Sequence, residues 1–109
     1  MSPFAAATSF GQFLHRLLGN RRDTDRIRVR GEICACFCDA RGLTVVLTCT
    51  CVDLSPRGMG VYSPKPISPG IEVTLRDPAG GAILRCAQVR YCQRHGHSHR
   101  IGFAFSPER

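Results

Sequence analysis

A chain of 109 residues is long enough for one domain with a modest hydrophobic core. Its hydrophobic fraction of 43% and charged fraction of 21% are typical of a globular protein and exclude an intrinsically disordered chain. The formal net charge is +7, and all but one of the 15 basic residues are arginine, which favours an anionic partner that a planar guanidinium can grip.

The first predicted element is a short amphipathic helix within residues 1–20. Its apolar residues follow the spacing of a single helical face: Phe10, Phe13, Leu14, Leu17 and Leu18. Ser9 is a suitable N-cap, and Gly19-Asn20 is a suitable stop. A helix of about ten residues is marginal by itself in water, so we expect this apolar stripe to dock on the rest of the chain or on a partner.

The rest of the chain, residues 21–109, is predicted to form one β domain. After a basic hinge the apolar residues recur every second position, in six runs near 28–38, 43–52, 60–63, 71–75, 83–91 and 101–105. Turn-forming sequences separate these runs, and residues 53–58 are predicted to be a loop. Short strands and tight turns predict an all-β, antiparallel barrel or sandwich, and closing the barrel would remove exposed edges.

The seven cysteines raise the question of cellular compartment. Their number is odd, and the N-terminus lacks the charged start, apolar run and cleavage site of a secretory signal. No apolar run approaches the roughly 20 residues that span a membrane. We therefore expect a cytoplasmic protein with reduced thiols and no membrane span.

Two short motifs carry the functional prediction. The first is RxxxR, formed by Arg22 and Arg26 and preceded by Arg21, and the second is DxSxxG, over residues 53–58. This pair, in this order and about 30 residues apart, resembles the signature of the PilZ domain family. The stretches "VDLSPRGMGVYSP" and "HRIGFAF" resemble that family's second-motif region and last strand, so the resemblance covers about residues 21–105.

The resemblance implies a six-stranded PilZ-type barrel that binds the bacterial second messenger cyclic di-GMP. Such a domain would be a receptor or adaptor that signals through a protein partner, and not an enzyme. The arginines would grip the phosphates and guanines, while the second motif would meet the ligand from the barrel side. The implied site residues are Arg21, Arg22, Arg26, Asp53, Ser55 and Gly58.

The chemistry of these residue types suits that ligand. Guanine presents the acceptors O6 and N7 on one edge, which match an arginine fork, and donors on another edge, which match the carboxylate of Asp53. Arginine planes can also stack on purines. Gly58 could adopt a positive φ and let the backbone approach the ligand closely.

The position of the arginines in a hinge suggests a mechanism. Without an anion the guanidinium groups repel one another, and a bound dinucleotide would draw the hinge onto the barrel. We therefore expect residues 20–28 to become ordered on binding and to reorient the N-terminal helix.

The cysteines of the first two strands are predicted to share one outer face. Cys34, Cys36 and Cys38 alternate with the apolar face of their strand, and alternation from an outward Asp53 would turn Cys49 and Cys51 outward as well. Five neighbouring thiols could form a zinc site or a redox sensor, although the Cys-x-Cys spacing lacks the geometry of usual zinc sites. Packing beneath the N-terminal helix or a second subunit, as in a homodimer, is the interpretation we favour.

Other functions find less support in the sequence. No nucleophile–base pair, paired carboxylates or phosphate-binding glycine loop is evident, so we expect no catalytic residues and no cofactor beyond the ligand. The cluster His95, His97 and His99 near Cys92 lacks a carboxylate partner, so no metal is expected there. The alternatives are a PilZ-like interaction module without nucleotide binding and a cysteine-based metal- or redox-responsive barrel. Nonspecific binding of nucleic acid would show a steep salt dependence, and we do not expect nucleic acid as a partner.

Overall fold

The computed structural model describes residues 26–79 and 81–107. Its strands are β1 (Ile27–Cys38), β2 (Thr44–Ser55), β3 (Gly58–Ser63), β4 (Glu72–Arg76), β5 (Ile83–His95) and β6 (Ser98–Phe105). They close into an antiparallel barrel in the order β1-β2-β3-β6-β5-β4. The predicted all-β barrel of six antiparallel strands is confirmed. The predicted helix and the boundary at residues 20 and 21 lie outside the described residues.

The core follows from the two-residue alternation of the strands, which sends every second side chain into the barrel. In β1 the buried residues are Ile33 and Ala35, which alternate with half-buried Cys34 and Cys36. Ile67, in the loop between β3 and β4, is also buried. The interior is completed by Leu47, Cys49, Cys51, Leu54, Met59, Val61, Val73, Leu75, Ala87, Val89, Ile101 and Phe103.

The second motif lies on paired strands, so the prediction of a loop at residues 53–58 is wrong. β2 continues to Ser55 and β3 begins at Gly58, and these two residues face each other across the pair. The turn between them consists of Pro56 and Arg57 alone. The polar side chains suggested a loop, yet the backbone can continue the ladder because those side chains lie at the barrel mouth.

Two of the four register shifts in the described barrel lie next to the candidate site. In the pairing of β2 with β3 the register shifts between Cys51 and Asp53, and in the pairing of β5 with β6 it shifts between Val89 and Tyr91. A bulge adds one residue to its strand, raises the local twist and redirects the side chains that follow. Both bulges lie directly before residues of the candidate site.

Candidate binding pocket at the barrel mouth

A cross-strand row of four residues forms the floor of the candidate site. Asp53 of β2 pairs with Gly60 of β3, Gly60 pairs with Gly102 of β6, and Gly102 pairs with Tyr91 of β5. The two glycines leave the middle of the row without side chains. The side chains at its two ends, a carboxylate and a phenol, can therefore lie over the glycines and enclose a shallow depression.

The β2 bulge explains why Asp53 faces this depression. Simple alternation would place residues 51 and 53 on one face, but Cys51 is fully buried, whereas the Asp53 side chain is 18% exposed. Val52 is the additional residue at the register shift, and the next core residue is Leu54. Because of this bulge, an outward Asp53 does not imply an outward Cys49 and Cys51, which was the prediction from the sequence.

Cys49 and Cys51 point into the core, so the predicted patch of five outward thiols does not form. Burial raises the pKa of Cys49 to about 11 and that of Cys51 to about 12, and the nearby charge of Asp53 adds to the shift at Cys51. Both thiols therefore stay protonated near neutral pH, which disfavours thiolate chemistry. The cross-strand neighbours of Cys34, Cys36 and Cys38 on β2 are Thr48, Val46 and Thr44.

Two arginines hold the Asp53 carboxylate. Arg26 donates from Nη1 to Oδ1, and Arg100 of β6 donates from Nη2 to Oδ2. A Cβ atom on Gly60 would lie 2.6 Å from Nη2 of Arg100 and 2.7 Å from Oδ1 of Asp53. The absence of a side chain at Gly60 is therefore what makes room for the ion pair.

Arg100 also links the carboxylate to aromatic side chains. Its Cζ lies 5.3 Å from the centre of the Tyr62 ring, within the range of a cation–π contact. Burial acts to lower the pKa of Arg100, but hydrogen bonds to Tyr91 and Asp53 and the charge of Asp53 outweigh it, so the pKa is raised. The guanidinium is therefore a permanent positive charge that lies only partly in solvent, with its side chain 22% exposed.

The β5 bulge supplies the opposite wall. Arg90 is the additional residue at the shift, and the Tyr91 ring packs directly over Gly102. Tyr91 nevertheless keeps 41% of its surface exposed, which is unusual for a large aromatic residue on a barrel strand. An exposed ring beside a fixed guanidinium can stack on a planar ligand.

The hairpin of the second motif closes the pocket from below. Ser55 is only 7% exposed, and its Oγ accepts a hydrogen bond of 3.3 Å from the backbone N–H of Arg57. Gly58 does not have the predicted positive φ. A Cβ atom there would collide with the backbone carbonyl of Phe103, so Gly58 allows β3 and β6 to approach each other.

These elements enclose a cavity of about 570 Å³, a volume within the range of small-molecule sites. Four arginines and one aspartate supply the charged groups, so the lining has three more positive than negative charges. Such a surface can bind a planar anion by ion pairing and stacking. The lining residues are Arg26, Asp53, Ser55, Arg57, Gly58, Met59, Gly60, Arg90, Tyr91, Arg100, Gly102, Phe103 and Ala104.

The sequence-predicted site residues reach this pocket in part. The structure brings together Arg26, Asp53, Ser55 and Gly58, and the remaining two, Arg21 and Arg22, lie outside the described residues. Arg57 and Gly60, which are not among the site residues implied by the sequence, also line the pocket. Arg90, Tyr91 and Arg100 were missed, although an alternating reading of "HRIGFAF" would have placed Arg100 on the outer face with Gly102.

The histidine-rich hairpin between β5 and β6 does not converge on a metal site. Within residues 26–79 and 81–107, no group of three or more His, Cys, Asp or Glu side chains could hold a metal ion. His95 instead packs against Tyr62 in a tilted arrangement, with ring centres 5.2 Å apart. Arg100, Tyr62 and His95 therefore form a continuous row of side-chain contacts.

Comparison with known proteins identifies one family. The model of the PilZ domain family matches residues 20–109, which include both motifs and every strand of the barrel. No curated protein matches the chain. In the part of the chain that the structure describes, no helix has the length and apolar character needed to cross a membrane.

Proposed function

We propose that this protein, which belongs to the PilZ domain family, is a receptor for cyclic di-GMP. PilZ domains are receptor or adaptor domains for this dinucleotide and are generally not enzymes. The observation that carries the proposal is the convergence of Arg26, Asp53 and Arg100 on one cavity beside the exposed ring of Tyr91.

The charges of the pocket suit a doubly anionic ligand. The three net positive charges of the lining would neutralise the two phosphates, and Arg21 and Arg22 of the RxxxR segment would add to them. Asp53 would accept hydrogen bonds from the donor edge of a guanine. Each carboxylate oxygen accepts one arginine N–H and has a second lone pair available for this. Arg26 is the more exposed of the two arginines, with 56% of its side chain in solvent, and is the partner that a guanine would displace more readily.

The rest of the pocket would complete the contacts with the guanines. Tyr91 offers a stacking face, and Arg90 and Arg57 could reach a phosphate or the O6 and N7 edge of guanine. Ser55 contributes first to the hairpin, because its hydroxyl already accepts a bond from Arg57. We expect signalling to follow from ordering of the arginine segment and from changed contacts with a protein partner.

Calorimetric titration with cyclic di-GMP tests the proposal. We expect the wild type to bind, and Arg22→Ala and Asp53→Ala each to lose about 1.5–3 kcal/mol, about ten- to a hundredfold in affinity, because each removes a charge-assisted hydrogen bond. Arg41→Ala is the matched control, since Arg41 is an exposed arginine in the hairpin at the far end of β1 and β2. Absence of binding by the wild type, or an equal loss in Arg41→Ala, would contradict the proposal.

A further inference from the structure

The outer surface far from the pocket contains an uncharged row that crosses four strands. Val46 of β2 pairs with Cys36 of β1, Cys36 pairs with Thr74 of β4, and Thr74 pairs with Cys86 of β5. We call this row, together with Cys34 and Thr48 beside it, the cysteine face. Small, uncharged side chains therefore line a continuous strip of sheet. The strip crosses three interstrand spacings and is about 14 Å wide.

The composition of this face is unusual for a solvated sheet. Val46 is 57% exposed and Cys86 is exposed. Solvent-facing positions on a sheet more often have charged side chains, which make up 21% of this chain. Ile83, 58% exposed, extends the apolar character at one edge, where its partner Arg76 turns its guanidinium to the carbonyl of Gly81. Contiguous exposed apolar surface of this kind marks an interaction site.

We propose that residues 10–18 of the same chain cover the cysteine face. The apolar stripe of that segment, formed by phenylalanine and leucine at helical spacing, needs a surface on which to dock because a helix this short is marginal by itself in water. Large side chains on a helix and small side chains on a sheet complement each other in shape. The cysteine face would therefore supply the apolar surface that the helix needs.

The length of the helix and the reach of the linker that joins it to β1 both permit this docking. A helix of nine residues is about 13.5 Å long, which matches the width of the face. Eight Cα steps separate Leu18 from Arg26, at which the described chain begins, and they reach at most about 29 Å. The nearest residue of the face, Cys34, lies eight strand residues from Arg26, about 26 Å at the usual rise per residue. An extended linker therefore reaches the face.

The face contains its own reporters, because docking would hide Cys36 and Cys86 from alkylating reagents. Iodoacetamide labelling of the full chain, followed by peptide mapping, would give the rate at each thiol, and trypsin isolates Cys86 on the peptide 86–90. We expect the double variant Leu14→Glu/Leu17→Glu to label about tenfold faster than the wild type at both thiols, because charges on the stripe prevent docking.

A matched control and an internal reference make the outcome decisive. Gln12→Glu/His15→Glu adds the same charge off the stripe and should label at the wild-type rate. The buried thiols Cys49 and Cys51 should remain unlabelled in every variant, which shows that the barrel is folded. Equal labelling in the wild type and the stripe variant would overturn the proposal. Protection that disappears on dilution would also overturn it, because the occupant would then be a second copy.

Discussion

Asp53 receives its position from residues that are distant in sequence. Arg26, directly before β1, and Arg100 on β6 approach its carboxylate, and Gly60 on β3 leaves the space in which they meet. An acidic residue held between two arginines is already oriented before a guanine arrives. Reduced reorganisation of this kind favours affinity.

Gly60→Ala tests that arrangement at the level of one methyl group. The new Cβ would displace the ends of two flexible side chains, Arg100 and Asp53, and not the backbone. We therefore expect the affinity for cyclic di-GMP to fall about tenfold, the equivalent of about one charge-assisted hydrogen bond, while the free energy of unfolding changes little. Calorimetry and urea denaturation of the same samples would measure both.

The comparison variant is Gly58→Ala, at the other glycine of the hairpin. Its Cβ would meet the carbonyl of Phe103, which belongs to the backbone of β6 and can move only if the barrel wall opens. We expect a loss of about 1–3 kcal/mol in the free energy of unfolding, as is usual for overpacking. If Gly60→Ala proved equally destabilising, the assignment of Gly60 to the site would be wrong.

The motif residues could be predicted from the sequence, but the other residues that line the pocket with them could not. RxxxR and DxSxxG are local patterns, and they predicted that Arg26 and Asp53 act together. Arg90 and Arg100 are ordinary strand arginines until the register of β5 and β6 is known. Their meeting at one pocket depends on long-range pairing, which a single sequence does not specify.

In strand β2, one additional residue divides a part that packs into the core from a part that faces the pocket. Before the bulge at Val52, the thiols of Cys49 and Cys51 face the core, and after it Asp53 faces the pocket. Unbroken alternation would place all three side chains on one face, as predicted from the sequence. The pattern of Cys, Thr and Val is compatible with either face, so only the burial of Leu54 and the pairing with β3 reveal the shift.

The buried thiols of β2 predict that stability falls at alkaline pH. The pKa of Cys49 is raised to about 11 and that of Cys51 to about 12, from an ordinary value of 9.0. Above pH 9 the unfolded chain loses protons that the folded barrel retains, so the free energy of unfolding decreases as pH rises towards these values. Each thiol contributes about 1.4 kcal/mol per pH unit in that window.

Urea denaturation between pH 7 and pH 11 measures this dependence. Cys51→Ala should lower stability at every pH because it leaves a cavity, but its stability should decline less steeply above pH 9 than that of the wild type. Cys86→Ala is the control, since this thiol is exposed and lies outside the core. Parallel curves for the wild type and Cys51→Ala would show that the thiol of Cys51 is not protected in the folded barrel.

In the molecule as a whole, nucleotide binding and docking of residues 10–18 would both depend on the linker of residues 19–25. Docking of residues 10–18 on the cysteine face requires residues 19–25 to be almost fully extended, since the available reach of about 29 Å barely exceeds the distance of about 26 Å. Gripping a dinucleotide with Arg21 and Arg22 requires the same residues to fold back over the pocket. We therefore expect the two arrangements to exclude each other.

Binding of cyclic di-GMP should therefore release the N-terminal segment and expose the cysteine face. We expect the labelling rate of Cys86 to rise with nucleotide concentration in the wild type, and hydrogen exchange at residues 20–28 to slow over the same range. A variant with about six Gly and Ser residues inserted between Asn20 and Arg21 is the matched control, because a flexible insert of that length adds on the order of 10–20 Å of reach. In that variant the nucleotide should still bind but leave Cys86 protected. If the nucleotide exposed Cys86 equally in both proteins, the linker would not be the element that couples the pocket to the face.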